Sequence, residues 1–331
     1  MIKIVIDRDI PFLDGVFEPF ADVTALEGRA ISAADVRDAD ALVVRTRTRC
    51  GEELLKGSAV RTIVTATIGT DHIDTEWCRA NGIEVFNAAG CNARGVLQWV
   101  SAVLVEILAA RGLAPKDLTL GVVGAGNVGS LVSSYAGSWG FRVVCCDPPR
   151  EEREHCGFLP VEDVFRESDI VTLHVPLDRT TYHMVDRRLL DILQDKVLIN
   201  SSRGEVVDTE ALAASRAQFA LDVWEHEPDI DLRLVRRAIA ATPHIAGYSL
   251  QGKANASARA VEVLSSRFGF PLAGWYPAGI AKRQPAEIGW DELCRTIGGY
   301  FDLRAESDRL KGCPSGFEQM RNNYRYREEF F

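Results

Sequence analysis

The stretch LTLGVVGAGNVGS, residues 118–130, decides the fold of this chain. An apolar run typical of a buried strand ends in Gly124, Gly126 and Gly129, spaced G-x-G-x-x-G, and a helical pattern opens from residue 129. The first glycine permits a tight turn, the second lets backbone N–H groups approach a diphosphate, and the third lets helix and strand pack closely. The pattern therefore predicts a strand, a phosphate-binding turn and a helix whose N-terminus faces the phosphates.

A second run, FRVVCCDPP at residues 141–149, supports a dinucleotide site. It ends in Asp147, about 20 residues beyond the glycines, where a ribose-binding carboxylate is expected. A carboxylate there accepts hydrogen bonds from the ribose hydroxyls and repels a 2′-phosphate. We therefore expect NAD as the cofactor rather than NADP, and nearby Arg150 is the feature that keeps NADP open as an alternative.

Short β-branched runs alternate with helical patterns along most of the chain, which predicts an α/β fold with parallel sheets and crossover helices. The runs are IKIVID, ALVVRT, RTIVTAT, LTLGVVGAG, FRVVCCD, DIVTLHVPL, DKVLINSS, FALDVWE and AATPHIAG. The first three precede an apolar helix over 96–110, which is interrupted by Gln98, Ser101 and Glu106 and is expected to be too short to cross a bilayer. We place a domain boundary near residue 95 and a change of pattern after about residue 265, where Pro, Gly and aromatic residues lead into polar helices.

The overall charge points to a small-molecule partner. The 38 Lys and Arg residues against 47 Asp and Glu residues give a net charge of −9, which disfavours nucleic acid and anionic membranes as partners. The N-terminus lacks the pattern of a signal peptide, and the eight cysteines include no C-x-x-C pair. We therefore expect a cytoplasmic protein with reduced thiols and without a metal site.

Three polar residues, Arg203, Glu227 and His244, each follow a strand-like run. Pro228 and Pro243 restrict the backbone next to the last two. Each residue also has a non-functional interpretation: Arg203 as a surface charge, Glu227 as a loop residue and His244 as a core histidine. Because the carboxyl ends of parallel strands meet at the ligand-binding edge of a sheet, we expect the three to lie at one site.

The chain resembles the D-isomer-specific 2-hydroxyacid dehydrogenases. The resemblance is carried by TATIGTDHID (65–74), AAGCNA (88–93), GVVGAGNVG (121–129), CDPPR (146–150), LINSSRGEVVD (198–208), LDVWEHEPD (221–229) and HIAGYSLQGKA (244–254), and more weakly by SGFEQMRNNYRYREEF near the C-terminus. It implies two Rossmann-like parallel-sheet domains flanking a cleft, with a small C-terminal α+β dimerisation segment. The implied limits are 1–95 plus about 248–265 for the substrate domain, 96–247 for the NAD domain and 266–331 for the segment through which a homodimer forms.

The resemblance also implies roles for individual residues. His244 is the general base for the hydroxyl proton, Glu227 orients its imidazole, and Arg203 binds the substrate carboxylate. The implied cofactor positions are Gly124, Gly126, Asn127, Val128, Gly129, Asp147, Val175, Ser201, Ser202, Arg203, Asp222 and Gly247. The implied substrate positions are Thr46, Thr67, Ile68, Gly69 and Tyr248.

The run RTRTR at residues 45–49 suggests a further anion. If it is a strand, Arg45, Arg47 and Arg49 emerge from one face. We expect Arg45, with Lys253, to neutralise the phosphate of a small phosphorylated 2-hydroxy acid, although Thr46 then points away unless a bulge or the strand end intervenes. The alternative is that Arg47 and Arg49 are solvated charges of an edge strand.

Two other functions stay open from the sequence. One is the same chemistry on another 2-hydroxy acid, such as a phosphoglycerate, glycerate or a lactate-like acid. The other is a non-catalytic scaffold that senses NAD on the same fold. Turnover of a panel of acids distinguishes the first, and tight NADH binding without turnover indicates the second.

Overall fold

Two parallel sheets organise the chain. The computed structural model describes residues 1–331, which divide into two units. Unit 1 comprises Met1–Asn92 and Leu250–Lys282, and unit 2 comprises Ala93–Ser249 and Arg283–Phe331. The α/β fold predicted from the alternating pattern, with two Rossmann-like parallel sheets, is confirmed.

The sheet of unit 1 has five parallel strands in the order β2-β1-β3-β4-β5. The strands are β1 (Lys3–Asp7), β2 (Asp22–Leu26), β3 (Ala41–Val44), β4 (Thr62–Thr65) and β5 (Glu84–Asn87). Side chains alternate between two apolar layers, with Leu42 and Val44 in one and Ala41 and Val43 in the other. The sequence predicted only three of these strands, because β2 and β5 are edge strands without a continuous buried run.

The sheet of unit 2 has six parallel strands in the order β11-β10-β9-β8-β6-β7. The strands are β6 (Thr119–Val123), β7 (Arg142–Cys146), β8 (Ile170–Leu173), β9 (Val197–Asn200), β10 (Gln218–Leu221) and β11 (Ala240–Ala241). The strand order reverses between β6 and β8, and ligands of such sheets bind at the carboxyl ends of the strands at that point. β11 stops before Pro243, which has no N–H to donate to a neighbouring strand.

The helices cover the faces of both sheets. They are α1 (Ala33–Val36), α2 (Glu52–Leu55), α3 (Thr75–Ala80), α4 (Ala93–Arg111), α5 (Asn127–Trp139), α6 (Pro148–Glu154), α7 (Val161–Glu167), α8 (Arg187–Leu193), α9 (Thr209–Ala214), α10 (Leu232–Arg237), α11 (Leu250–Phe268), α12 (Trp290–Tyr300), α13 (Leu303–Gly312) and α14 (Phe317–Asn322). The helix predicted from residue 129 begins two residues earlier, because Gly126 is its N-cap.

α4 is the central helix of unit 2. It begins three residues before and ends one residue after the predicted 96–110 stretch. By length and composition a helix of 19 residues like this one is able to cross a membrane, but 72% of its apolar window is buried inside the structure. Trp99, Leu104 and Ile107 are fully buried in the core of unit 2, so α4 has the surroundings of a core helix.

The C-terminal part of unit 2 is helical. α12 packs on α4, and α13 packs against β11. Beyond α14 the chain makes a single parallel bridge between Arg327 and Ser249. This segment therefore adds helices and one bridge to unit 2 rather than a sheet of its own.

The interpretation of RTRTR as a strand is wrong. β3 ends at Val44, and the chain turns at once, with Thr48 N donating to the Arg45 carbonyl at 3.3 Å. β3 pairs with β1 from Ala41 to Val43 and with β4 from Ala41 to Val44, so neither ladder extends to Arg45. The three arginines therefore do not share a strand face, and the strand end removes the predicted conflict between Arg45 and Thr46.

Candidate active site

The glycine-rich turn lies between β6 and α5, at the point where the strand order reverses. Gly124 has φ +88°, and a Cβ added to it would lie 2.6 Å from the His174 carbonyl oxygen. A Cβ on Gly129 would lie 1.9 Å from the carbonyl oxygen of Gly124, so the helix and the turn are in backbone contact. Nothing lies within 4 Å of a Cβ placed on Gly126. The turn is closed where it packs on the protein and open beside Gly126, where a diphosphate approaches in such folds.

Asp147 connects the end of β7 to this turn. Its Oδ2 accepts a hydrogen bond from Ala125 N at 2.8 Å, and its Oδ1 accepts one from Arg150 N at 3.0 Å, which caps α6. The Arg150 guanidinium donates to both carboxylate oxygens of Glu154, at 2.9 and 2.6 Å. Glu154 therefore offsets the charge of Arg150, which weakens the case for NADP.

The remaining cofactor positions surround the same edge. Asn127 and Val128 are in the first turn of α5, and Val175 follows β8 beside Gly124. After β9, the Ser201 hydroxyl is buried and has no hydrogen-bond partner, which is typical of an atom that a ligand satisfies. Ser202 differs, because its Oγ donates to Asn200 Oδ1 at 2.8 Å within the protein. The open turn, the Asp147 carboxylate and the unpaired Ser201 hydroxyl fit NAD.

His244 and Glu227 form a hydrogen-bonded pair. His244 Nδ1 lies 2.8 Å from Glu227 Oε2, and Glu227 Oε1 accepts a hydrogen bond from Trp224 N at 3.0 Å. Burial raises the pKa of Glu227, but the attraction of His244, its hydrogen bond and the nearby Arg321 outweigh burial, so the pKa is below its usual value. A carboxylate only accepts hydrogen bonds, so Nδ1 carries the proton and Nε2 has the free lone pair.

Asp222, at the end of β10, holds the backbone that follows His244. It is 1% exposed. Its carboxylate accepts hydrogen bonds from Thr242 Oγ1 at 2.6 Å and from the N–H groups of Ile245 and Ala246 at 2.8 Å each. Burial raises the pKa of Asp222 in spite of these bonds. Asp222 thus fixes the loop that carries His244 and Gly247, and its expected contact with the cofactor stays a prediction.

Arg203 follows β9 in a tightly packed turn. Its Nη1 donates to the Ser202 carbonyl at 2.8 Å, and its own carbonyl accepts a hydrogen bond from Asn200 Nδ2 at 2.8 Å. A Cβ on the next residue, Gly204, would lie 2.0 Å from the Trp224 carbonyl carbon. The turn that carries Arg203 is therefore in backbone contact with the segment that leads to Glu227.

The predicted substrate residues of unit 1 lie after two neighbouring strands. Arg45 and Thr46 follow β3, and Thr67, Ile68 and Gly69 follow β4. The Thr67 hydroxyl donates to the Gly69 carbonyl at 3.2 Å, and Asn87 Nδ2 donates to the Ile68 carbonyl at 2.8 Å, so this loop is held from within unit 1. Lys253 is in the first turn of α11.

Arg45 is already paired with carboxylates. Its Nε lies 2.9 Å from Asp7 Oδ2, and its Nη2 lies 2.9 Å from Asp9 Oδ2. The Asp7 carboxylate is 0% exposed, so this ion pair is a fixed part of unit 1. Two carboxylates against one guanidinium leave a net charge of −1, which makes Arg45 a weaker phosphate ligand than the sequence suggested.

The sequence reasoning missed three residues near the C-terminus. Arg321 donates from Nε to Tyr248 Oη at 3.2 Å and places Nη1 3.5 Å from Glu227 Oε2. Arg327, which is 7% exposed, donates to the carbonyls of Ile245 at 2.9 Å, Gly95 at 2.8 Å and Tyr248 at 3.3 Å, and also to that of Ala246. Glu329 accepts a hydrogen bond from Ser249 Oγ at 2.6 Å. Residues 321–331, called here the tail, therefore hold the loop that carries His244.

A second His–Glu pair involves Glu225, two residues before Glu227. His183 Nε2 lies 2.7 Å from Glu225 Oε1, and the other oxygen of Glu225 accepts a hydrogen bond from Thr209 N at 3.2 Å. His183 also stacks on Tyr182, with ring centroids 4.1 Å apart. No local pattern predicted this pair, because 42 residues separate its members.

Comparison with known proteins agrees with this geometry. Residues 98–246 match the family model of the "D-isomer specific 2-hydroxyacid dehydrogenase, NAD binding domain". A Bacteroides fragilis protein named erythronate-4-phosphate dehydrogenase is 42% identical over 99% of this chain and 97% of its own length. A Yersinia pestis protein of the same name is 38% identical over 99% of this chain and 93% of its own length.

Solved structures show the same fold. D-lactate dehydrogenase from Aquifex aeolicus, complexed with NAD and lactic acid, superposes with a TM-score of 0.69 at 24% identity and covers 84% of this chain and 100% of that one. NAD-bound 3-phosphoglycerate dehydrogenase from Entamoeba histolytica has a TM-score of 0.67 at 26% identity and covers 81% of this chain and 96% of that one. The chain therefore belongs to the erythronate-4-phosphate dehydrogenase family of NAD-dependent D-isomer-specific 2-hydroxyacid dehydrogenases.

Proposed function

We propose that this chain oxidises 4-phospho-D-erythronate to 3-hydroxy-2-oxo-4-phosphooxybutanoate with NAD, a step of pyridoxal 5'-phosphate biosynthesis. The observation that carries the proposal is the His244–Glu227 pair, whose geometry leaves Nε2 of the imidazole as a base. The near-full-length relatives that bear the name of this activity support the choice of substrate.

His244 accepts the proton of the substrate's C2 hydroxyl on Nε2. Bound NAD supplies the acceptor for the hydride that leaves C2. As the C2–O bond becomes a carbonyl, the imidazole becomes an imidazolium, and the ionised Glu227 stabilises this charge through the hydrogen bond to Nδ1 at 2.8 Å. The pair thus favours the protonated product form of the base.

Arg203 binds the substrate carboxylate next to the reacting carbon. A guanidinium presents parallel N–H donors that match the two oxygens of a carboxylate, which fixes the orientation of C2. The backbone of its turn is held by the close contact of Gly204 with Trp224, and its Nη1 donates to the Ser202 carbonyl at 2.8 Å. The substrate contacts expected of Thr46, Thr67, Ile68, Gly69 and Tyr248 are part of the proposal.

The proposal also includes a homodimer in the cytoplasm, formed through residues 266–331. All eight cysteines are unpaired, and three of them are exposed, which fits a reducing compartment. Sedimentation of the purified protein tests the dimer. A chain that sediments as a monomer at micromolar concentration contradicts it.

The direct experiment incubates the purified protein with NAD and 4-phosphoerythronate and follows the absorbance of the reduced nicotinamide. Parallel reactions with 3-phosphoglycerate, glycerate and lactate test the other hydroxy acids. His244→Ala should abolish turnover while NADH still binds. Tight NADH binding without turnover of any acid would instead indicate a cofactor-sensing scaffold, and preference for another acid would replace the proposed substrate.

A further inference from the structure

A guanidinium from α14 lies beside the His244–Glu227 pair. Arg321 is 23% exposed at its side chain, and its Nη1 lies 3.5 Å from Glu227 Oε2. Its Nε donates to the Tyr248 hydroxyl at 3.2 Å. No residue assigned from the known motifs occupies this position, so the tail adds a cation to the site.

The Arg321 side chain is held in place but keeps donors available. Downstream of it, Arg327 and Glu329 fix the tail to the loop that carries His244, through hydrogen bonds at both residues. The contacts of Arg321 with Tyr248 and Glu227 are made by Nε and Nη1. A fixed guanidinium with unused N–H groups is prepared to bind an oxyanion, because little side-chain freedom is lost on binding.

The charges near Arg321 keep it protonated. Burial on its own lowers the pKa of Arg321, but the interactions with Tyr248 and Glu227 outweigh burial, so the pKa is above its usual value. Glu227 offsets this cation less than Asp7 and Asp9 offset Arg45, because one carboxylate lies 3.5 Å from Arg321 whereas two lie 2.9 Å from Arg45. The guanidinium therefore remains an attractive partner for an anion.

A substrate with two anionic groups needs two cationic partners. Arg203 is assigned to the carboxylate beside C2, and Arg45 is compensated by Asp7 and Asp9. We propose that Arg321 binds the phosphate, the second anionic group of the substrate, and makes the enzyme select phosphorylated 2-hydroxy acids. This inference rests on the proposed function, and it makes Arg321 a specificity-determining residue supplied by the tail.

The test compares Arg321→Gln with wild type on two substrates, 4-phosphoerythronate and unphosphorylated D-erythronate. Loss of a charge-assisted hydrogen bond should lower kcat/KM for the phosphorylated acid about 10- to 100-fold, mainly through KM. The value for erythronate should fall about tenfold less than that, because the loss of the contact with Glu227 affects both acids alike whereas the loss of the phosphate contact affects one. Arg321→Lys should restore part of the loss, and Arg325→Gln, an exposed arginine of the same tail, should behave as wild type.

Binding of inorganic phosphate gives a second readout that does not depend on the substrate. Calorimetric titration of the NADH-bound enzyme should show phosphate binding that weakens about tenfold in Arg321→Gln and stays unchanged in Arg325→Gln. Equal losses with both acids, or unchanged phosphate binding, overturn the assignment, and thermal melting checks that the variants are folded. If wild type does not oxidise 4-phosphoerythronate, the proposed function fails, while the phosphate titration still decides the role of Arg321.

Discussion

Replacing Glu227 with glutamine removes the charge from the His244–Glu227 pair while it keeps the shape of the side chain. The amide oxygen of glutamine can still accept a hydrogen bond from Nδ1, so the orientation of the imidazole is retained. What is lost is the attraction between a carboxylate and the imidazolium that forms during the reaction. The variant therefore separates orientation of the base from electrostatic stabilisation.

The size of the effect follows from the 2.8 Å separation of His244 Nδ1 and Glu227 Oε2. At an effective dielectric of about 20, two unit charges at that distance attract by about 6 kcal/mol, which sets an upper limit near a 25,000-fold loss in kcat. The lower limit, about tenfold, is the difference between a charged and a neutral hydrogen bond. Arg321 lies 3.5 Å from the same oxygen and already offsets part of its charge. We therefore expect a loss of about 100-fold.

The assay is the initial rate of NADH formation at saturating substrate, together with the NADH dissociation constant from fluorescence. Glu225→Gln is the matched control, because Glu225 forms a similar carboxylate–imidazole pair with His183 at 2.7 Å, in the same WEHEP motif. It should lower the melting temperature but leave kcat within about threefold of wild type.

Two results contradict the reasoning about Glu227. One is a Glu227→Gln enzyme whose kcat stays within about threefold of wild type. The other is a loss of NADH affinity as large as the loss of turnover, which would make Glu227 a residue that supports the fold of the cofactor site.

Three further predictions concern the turn, the tail and acid stability. Gly126→Ala should weaken NADH binding, measured by fluorescence titration, without a change in melting temperature, because its Cβ meets no protein atom within 4 Å. Gly129→Ala should instead lower the melting temperature, because its Cβ would lie 1.9 Å from the carbonyl oxygen of Gly124. Arg327→Met should leave four backbone carbonyls without their donor and cost at least about 3 kcal/mol in urea unfolding; a loss below about 1 kcal/mol contradicts this. The pKa of Glu227 is lower in the folded state than its usual 4.5, so its stabilising contribution is complete above pH 4.5 and is lost as the pH falls through the folded value. Below pH 4.5 the free energy of unfolding should accordingly fall more steeply with pH for wild type than for Glu227→Gln. Identical pH profiles of the two proteins would refute the lowered pKa of Glu227.

Local patterns predicted those parts of the fold that depend on local geometry. The glycines at 124, 126 and 129 were predicted from their spacing between a strand-like run and a helical pattern, and the closest contact that requires a glycine, between Gly129 and the Gly124 carbonyl, spans five residues. Edge strands β2 and β5 were missed because half-exposed strands carry no continuous apolar run. The strand predicted for RTRTR was wrong for the opposite reason. It has the period of a strand, but a strand ends where its neighbours stop pairing, and β1 and β4 stop pairing with β3 at Val43 and Val44.

The contacts between distant segments of the site could not be predicted from the sequence. Arg45 meets Asp7 across 38 residues, and Arg321 meets Tyr248 across 73. Nothing in the composition of RNNYRYREE distinguishes an arginine that enters an active site from one that stays in water. The strand ends that carry Arg203, Glu227 and His244 were predictable because a parallel sheet places them at one edge by its topology.

The hydrogen bonds from Arg327 to the backbone around His244 have a consequence for the order in which a folding chain acquires activity. Its partner Gly95 is 232 residues away, whereas the strand, turn and helix of the glycine motif are contiguous. Contacts of such long range close late, because the entropy of a large loop has to be overcome first. A refolding chain should thus regain cofactor affinity before it regains turnover. Transplanting the catalytic motifs into another scaffold without residues 321–331 would, for the same reason, transfer the reacting groups but leave their loop unanchored.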